Sequence, residues 1–178
     1  MLVNTNDDEF NSHYPTILKN SKHRQLVVME PKLDEIYNVF NDVGNYIKGH
    51  KKKIYGGYGL NLLLTNKNPS LSLYDEYDTP DIDFYSPYPL TDLTTLCDLL
   101  AEKGYKDIMA QEAAHPETYA VFVNQMKYCD ITYMPKNVYD NIKFIEINGY
   151  RVTHPWFMMI DYFRMFTDPL TSFWRLEK

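Results

Sequence analysis

Cysteine and histidine are scarce in this sequence. Two cysteines, Cys97 and Cys129, and five scattered histidines occur in 178 residues. Two cysteines do not make a disulfide framework, and both have apolar neighbours, which is typical of buried free thiols. No CxxC or HxxxH pattern places these residue types at metal-ligand spacing. The sequence therefore argues against a disulfide-stapled fold and against a zinc site.

Long apolar runs are also absent. No window approaches the roughly 20 apolar residues that a membrane-spanning helix needs. The first residues, MLVNTNDDEF, contain no apolar core of a signal peptide. We therefore expect a protein of the cytoplasm without a membrane partner.

The sequence has no excess of positive charge. It holds 18 Lys and Arg against 24 Asp and Glu, for a formal net charge of −6. That balance argues against a protein whose whole surface grips nucleic acid. It leaves open a nucleic-acid enzyme, because carboxylates that hold divalent metal ions reverse the local charge. The short run Lys51–Lys53 is interpreted as a solvated face, with contact to RNA phosphates as the alternative.

The chain divides into three parts by composition. Residues 1–30 are polar and lack periodicity, which predicts a flexible N-terminal arm. Residues 31–167 contain the apolar patterns of one folded domain. Residues 168–178 are interpreted as the start of a following segment, because Asp168-Pro169 interrupts the last helical pattern.

Helical and strand patterns follow one another through the central part. Apolar residues from Leu33 to Ile47 recur at helical spacing, and Asn148-Gly149 is a strong hairpin turn signal. Further predicted elements are strands at 53–55, at 81–85 and after Tyr105, helices at 58–65 and around 93–100, a hairpin at Asn124-Gln125, and a helix after Pro155 with Trp156, Phe163 and Phe166 interpreted as core. This order predicts an α+β fold: a mixed, mostly antiparallel sheet with helices packed on one side.

Two aspartates alternate with apolar residues in the stretch DTPDIDFYSP. Residues i and i+2 of a strand point to the same face, so Asp81 and Asp83 should stand side by side while Ile82 and Phe84 enter the core. Adjacent anions repel each other, and a divalent cation such as Mg²⁺ or Mn²⁺ removes that conflict. Asp130, between Cys129 and Ile131, fits the same logic on a neighbouring strand. Three carboxylates can hold two metal ions about 3.5–4 Å apart, the arrangement used for phosphoryl displacement.

A diglycine precedes these aspartates. Gly56-Gly57 follows a predicted strand and opens a predicted helix. Without side chains, the backbone N–H groups can approach a phosphate, and the positive end of the helix dipole favours the anion. The chain thus offers a phosphate cradle as well as a metal cluster.

These motifs together resemble the polymerase-beta-like nucleotidyltransferase superfamily. The matching parts are Tyr55-Gly56-Gly57, Asp81-Ile82-Asp83 and Asp130. The longer words IYGGYGLN at 54–61, TPDIDFY at 79–85 and the segment from Asp161 to Arg175 look like the poly(A) polymerase catalytic subunits of large cytoplasmic DNA viruses. The resemblance runs from about Leu33 to the end of the chain.

The resemblance implies template-independent addition of AMP from ATP to RNA 3′ ends, with two Mg²⁺ or Mn²⁺ ions. By position, Asp81 and Asp83 would bind both metals and Asp130 the one that activates the 3′-hydroxyl. The resemblance also implies that Gly56, Gly57 and Tyr58 contact the nucleotide phosphates. Superfamily members often carry Ser after the first glycine, whereas Gly57 offers only its N–H. Family members are much longer, so the chain is interpreted as a fragment that carries the catalytic domain at 31–167.

Other interpretations stay open at this point. The enzyme could transfer a nucleotide to a small molecule or a protein, or the fold could serve as a non-catalytic nucleotide- or RNA-binding module. The expected partners are ATP and an RNA 3′ end, with a homo-oligomer or a partner subunit as a further option. The expected location is the host cytoplasm, or the virion if the protein is viral.

Overall fold

The computed structural model describes residues 7–29, 33–75 and 78–167. Its helices are α1 (Asp7–Met29), α2 (Leu33–Gly49), α3 (Gly56–Lys67), α4 (Pro89–Glu102), α5 (Lys136–Asn141) and α6 (Pro155–Thr167), with a short 3-10 helix at Pro69–Leu71. Its strands are β1 (Lys53–Tyr55), β2 (Ile82–Ser86), β3 (Ile108–Glu112), β4 (Thr118–Val123), β5 (Met126–Tyr133), β6 (Phe144–Ile147) and β7 (Tyr150–Thr153).

The strands form one mixed sheet of seven strands in the order β3-β4-β5-β2-β1-β7-β6. The pairs β1-β2, β3-β4, β4-β5 and β6-β7 are antiparallel, and the pairs β2-β5 and β1-β7 are parallel. The mixed, mostly antiparallel α+β fold predicted from the sequence is therefore confirmed. The two parallel pairs place strands from distant parts of the chain at the centre of the sheet.

The core lies between one face of the sheet and the helices α2, α3 and α4. On α2 the buried side chains recur every three or four residues, and they include Ile36, Val39, Val43 and Ile47. On the sheet, alternation buries Ile82 and Phe84 completely and leaves Asp83 partly exposed on the opposite face. Burial of these apolar side chains supplies the main driving force for folding.

The opposite face of the sheet carries the short helix α5. Ile54 is buried in the core, so its neighbour Lys53 points to this other face. There the Lys53 ammonium donates hydrogen bonds to the carbonyl oxygens of Tyr139 and Ile142 at the end of α5, the latter at 2.8 Å. The ammonium of Lys52 lies 2.6 Å from the carboxylate of Asp92. The interpretation of the lysine run as a solvated face is therefore wrong for Lys52 and Lys53, because both cations have internal partners.

The N-terminal segment, which its composition predicts to be a flexible arm, contains a helix. Residues Asp7–Met29 form a helix. Of residues 11–24, all but Lys22 are exposed, so this part of the helix has no buried stripe, and the helix sequence shows no helical periodicity. Lys22 contacts Asp75 at 2.8 Å and Asp78 at 3.7 Å. Because the side chains at 11–24 gain little from burial, the sequence pattern there resembles that of a disordered segment.

The last described helix exposes aromatic residues. The interpretation of Trp156 and Phe163 as core residues is wrong, since they are 67% and 58% exposed. The side chain of Phe166 and the whole of residues 168–178 lie outside the described part. Among the residues that the structure describes, no helix has the length and apolar content needed to cross a membrane.

Candidate functional site

Three carboxylates meet on the face of the sheet opposite the core helices α2, α3 and α4. Asp83 on β2 and Asp130 on β5 are direct partners in a parallel pair, and Asp81 lies one residue before β2. One ligand oxygen from each of Asp81, Asp83 and Asp130 lies within 4.8 Å of the other two. We call these three residues the carboxylate cluster. The structure thus brings together the three aspartates that the sequence selects, from segments almost 50 residues apart.

Gly56 lies directly against the carboxylate cluster. Tyr55 pairs with Asp83 across β1 and β2, so the next residue, Gly56, turns beside the Asp83 side chain. Its φ of +68° is in the left-handed region, and a Cβ on it would lie 2.0 Å from Asp83 Oδ2. Gly56 therefore serves two needs at once: it permits the turn, and it leaves room for a carboxylate. The predicted tight turn is in fact the start of α3, which begins at Gly56 rather than at Tyr58.

The second glycine is also in a crowded place. A Cβ on Gly57 would lie 2.5 Å from the hydroxyl of Tyr74. The first N–H groups of a helix have no partner within the helix, so those at the start of α3 can bind an acceptor from outside it. The sequence predicts that Gly56 and Gly57 form a phosphate cradle. In the structure both residues lie at the start of α3, beside the carboxylate cluster.

Tyr58 contributes differently from the two glycines. Its ring packs edge-on against Phe40 at 5.6 Å and against Tyr150 at 5.7 Å between centroids. Burial raises the pKa of its phenol. The Tyr58 side chain thus faces the core, which leaves its backbone N–H in the first turn of α3 as its possible contact with a nucleotide.

A lysine that sequence analysis missed neutralises part of the cluster. The Lys127 ammonium lies 2.5 Å from Asp81 Oδ2 and 3.0 Å from Asp130 Oδ2. Burial by itself disfavours the charge of Lys127, but these two carboxylates outweigh it and raise the pKa of the ammonium. No local signal identifies this residue, because Lys127 is three residues before Asp130 and a regular strand would place them on opposite faces.

The donor set fits a divalent metal ion. All three side chains offer hard carboxylate oxygens, which suit Mg²⁺ and Mn²⁺. Asp130 Oδ1 is buried and has no hydrogen-bond partner among the described residues. A buried acceptor without a partner is unfavourable, and a bound cation would satisfy it. The Lys127 ammonium engages the other oxygen of the same carboxylate and leaves this one unused.

Tyrosines form the wall beside the carboxylate cluster. The rings of Tyr55 and Tyr85 stack with centroids 3.9 Å apart, and the Tyr55 hydroxyl lies 2.6 Å from Thr132 Oγ1. Burial and then the charges of Asp81 and Asp83 raise the pKa of Tyr74 to about 12. Tyr74 lies between the 3-10 helix and β2, and no sequence motif marks it, so only the folded chain reveals its place at the site.

Comparison with known proteins identifies the family. The sequence profile of the family described as "Poly(A) polymerase catalytic subunit" matches residues 41–172, most of the chain. The chain belongs to the poly(A) polymerase catalytic subunit family. The match contains the diglycine and all three aspartates of the carboxylate cluster.

Viral proteins named as members of this family are similar in sequence. A protein of Acanthamoeba polyphaga mimivirus named "Putative poly(A) polymerase catalytic subunit" is 44% identical over 158 residues, or 89% of this chain. A protein of the same name from African swine fever virus is 32% identical over 126 residues, or 71% of this chain. The fold is also similar to the crystal structure of the Megavirus polyadenylate synthase, with a TM-score of 0.83, 45% identity and 92% of this chain covered.

The relatives are much longer than this chain. The matches cover 27% of the mimivirus protein, 26% of the African swine fever virus protein and 33% of the Megavirus protein. The similarity thus concerns about a quarter to a third of the length of each of these proteins.

Proposed function

We propose that this chain carries the nucleotidyl-transfer centre of a polynucleotide adenylyltransferase, which adds AMP from ATP to the 3′ end of RNA without a template. The single observation that carries this proposal is the convergence of Asp81, Asp83 and Asp130 beside Gly56 in a member of the poly(A) polymerase catalytic subunit family. The proposed catalytic domain is 31–167, with residues 168–178 beginning a following segment.

In this proposal the carboxylate cluster is the ligand set for two divalent ions, Mg²⁺ or Mn²⁺. Asp81 and Asp83 would hold both ions, and Asp130 would hold one of them. The buried, unpartnered Oδ1 of Asp130 supports this assignment. When bound, such ions would supply Lewis-acid activation of the RNA 3′-hydroxyl and neutralise charge on the leaving pyrophosphate.

The start of α3 is proposed to bind the triphosphate. The backbone N–H groups of Gly56, Gly57 and Tyr58 are in its first turn, where they lack partners within the helix. The helix dipole favours an anion at this end. Because Gly56 contacts Asp83, a phosphate held here would also be close to the carboxylate cluster.

The reaction transfers one nucleotidyl group. The RNA 3′-oxygen forms a bond to the α-phosphorus of ATP, the bond from that phosphorus to the bridging oxygen breaks, pyrophosphate leaves, and the hydroxyl proton passes to solvent. The protein residues contribute by positioning both reactants and by supplying fixed charges, which account for most of the catalysis of phosphoryl transfer.

A primer-extension assay with each nucleoside triphosphate tests the proposal. RNA with a free 3′ end should be extended with ATP and a divalent ion, and Asp83→Asn should reduce the rate by at least 100-fold, the order of effect expected for loss of electrostatic stabilisation. Asp98→Asn, an exposed aspartate on α4, is the matched control and should be active. The Megavirus polyadenylate synthase serves as the positive control for the assay.

The same assay separates the alternatives. Single additions to a small molecule or a protein would identify a different nucleotidyltransferase. Nucleotide or RNA binding without any product that depends on Asp83 would identify a non-catalytic binding module.

The named relatives are viral proteins. This supports, as part of the proposal, a setting in the host cytoplasm or virion. The word "subunit" in the family description supports action with a partner subunit, and a homo-oligomer is the alternative.

A further inference from the structure

The strand that carries Asp130 contains an irregularity next to the carboxylate cluster. Val121 on β4 pairs with Cys129 on β5, but the next residue, Phe122, pairs with Lys127. Tyr128 is therefore an extra residue on β5, which defines a β-bulge. Tyr128 and Cys129 are both buried in the core, as expected when two consecutive residues point the same way.

The bulge re-aims the side chain of Lys127. In a regular strand, Lys127 and Asp130 would lie on opposite faces because their separation is an odd number of residues. The additional residue reverses the direction of Lys127, so its ammonium reaches the carboxylates of Asp81 and Asp130. Bulges occur often beside active sites, where they redirect a side chain.

The Lys127 side chain lies at the solvent-exposed rim of the carboxylate cluster. This side chain is 39% exposed, whereas that of Asp130 is 18% exposed, so the lysine lies at the rim of the cluster and the aspartate inside it. The ammonium contacts one oxygen of Asp130 on β5 and one oxygen of Asp81, which lies just before β2. A divalent ion held by Asp81 and by the unpartnered Oδ1 of Asp130 would lie within a few ångströms of this ammonium and would be repelled by it.

We propose that Lys127 is a tethered counter-cation, which occupies the carboxylate cluster when divalent ions are absent and leaves it when they bind. This inference rests on the proposed function only in that the cluster is taken to bind divalent ions. Lys127 would then lower the affinity for metal and preserve the stability of the metal-free protein, since it neutralises one of three adjacent negative charges. Lys127 is thus a positioning residue, and its effect is on binding rather than on a step of the reaction.

The test compares Lys127→Met with the parent chain by Mn²⁺ titration and by thermal unfolding in EDTA. Lys127→Met should bind Mn²⁺ about tenfold more tightly, because the competing ion pairs are lost. In EDTA its melting temperature should fall by about 2–4 °C, as the cluster loses its counter-charge. Lys127→Arg keeps the charge and should resemble the parent chain in both measurements.

Lys136→Met is the matched control, because Lys136 makes an exposed ion pair of 2.6 Å with Asp140 outside the cluster. It should leave Mn²⁺ affinity unchanged. If Lys127→Met does not fold, Lys127→Gln provides the same loss of charge in a polar side chain.

The outcomes distinguish this inference from the proposed function. Mn²⁺ binding by the parent chain with equal or weaker binding by Lys127→Met would overturn the role of Lys127 and leave the metal site intact. Absence of Mn²⁺ binding by the parent chain would remove the premise of both. Tighter binding together with lower stability in EDTA supports the counter-cation, whatever the RNA assay shows.

Discussion

Single residues at this site meet two requirements at once, and Gly56 is the clearest case. Its positive φ disfavours any L side chain, and its missing Cβ makes room for the Asp83 carboxylate. Each requirement alone would select glycine. Together they couple the start of α3 to the geometry of the carboxylate cluster, so a change at Gly56 should affect metal binding as well as folding.

Substitution of this glycine tests that coupling. Gly56→Ala should lose about 1–2 kcal/mol of stability from backbone strain and a further amount, on the order of 1–3 kcal/mol, from the contact with Asp83. It should also weaken Mn²⁺ binding. Urea unfolding and Mn²⁺ titration measure the two effects.

Gly104→Ala is the matched control, because Gly104 has a φ of +91° and open space where a Cβ would lie. It should show the strain cost alone. Equal losses in the two variants, with unchanged Mn²⁺ affinity in Gly56→Ala, would mean that the Asp83 contact has no energetic consequence.

At the scale of elements, one buried carboxylate joins the helices to the sheet. Asp92 in the first turn of α4 accepts hydrogen bonds from the Tyr46 hydroxyl at 2.7 Å, from the Lys52 ammonium at 2.6 Å and from the Ser86 hydroxyl. These donors come from α2, from the residue before β1 and from the end of β2. Burial, followed by the bond to Asp92, raises the pKa of Tyr46. A buried ion pair with satisfied partners holds these elements in one arrangement.

Removal of this charge should be costly. Asp92→Asn leaves the Lys52 ammonium, 15% exposed, without its anionic partner. We expect a loss of about 2–4 kcal/mol in the free energy of unfolding, with Mn²⁺ affinity unchanged because the network lies away from the carboxylate cluster. Asp140→Asn removes the exposed pair with Lys136 and should cost less than about 0.5 kcal/mol. A similar small cost for Asp92→Asn, measured by chemical denaturation, would show that the network does not stabilise the fold.

At the scale of the whole molecule, the proposed metal site links folding to ligand binding. Asp83 and Asp130 belong to segments that meet only when β2 and β5 pair, so the unfolded chain has no preformed site. A ligand that binds only the folded state stabilises it by about 2.7 kcal/mol at one hundred times its dissociation constant. The melting temperature should therefore rise with Mn²⁺ concentration and fall back in EDTA.

Asp83→Asn separates this linkage from damage to the fold. Asn keeps the size of the side chain and removes one of three adjacent charges, so the melting temperature in EDTA should be equal to or higher than that of the parent chain. The rise with Mn²⁺ should be lost. Differential scanning calorimetry of both proteins, with Asp98→Asn as the control, makes the comparison. A clear drop in EDTA would show that Asp83 supports the apo fold through other contacts.

Local sequence patterns alone determined which residues form the carboxylate cluster and where the adjacent backbone turns. The alternation Asp81-Ile82-Asp83-Phe84 assigns each side chain to a face because the period of a strand is fixed at two residues. The diglycine marks a place where the backbone turns and a side chain cannot fit. Folding was needed to reveal Lys127, whose direction depends on a bulge in the pairing of β4 with β5. It was equally needed for Lys52, Lys53 and the Tyr58 ring, because contacts between distant segments, rather than spacing along the chain, determine which polar groups become internal.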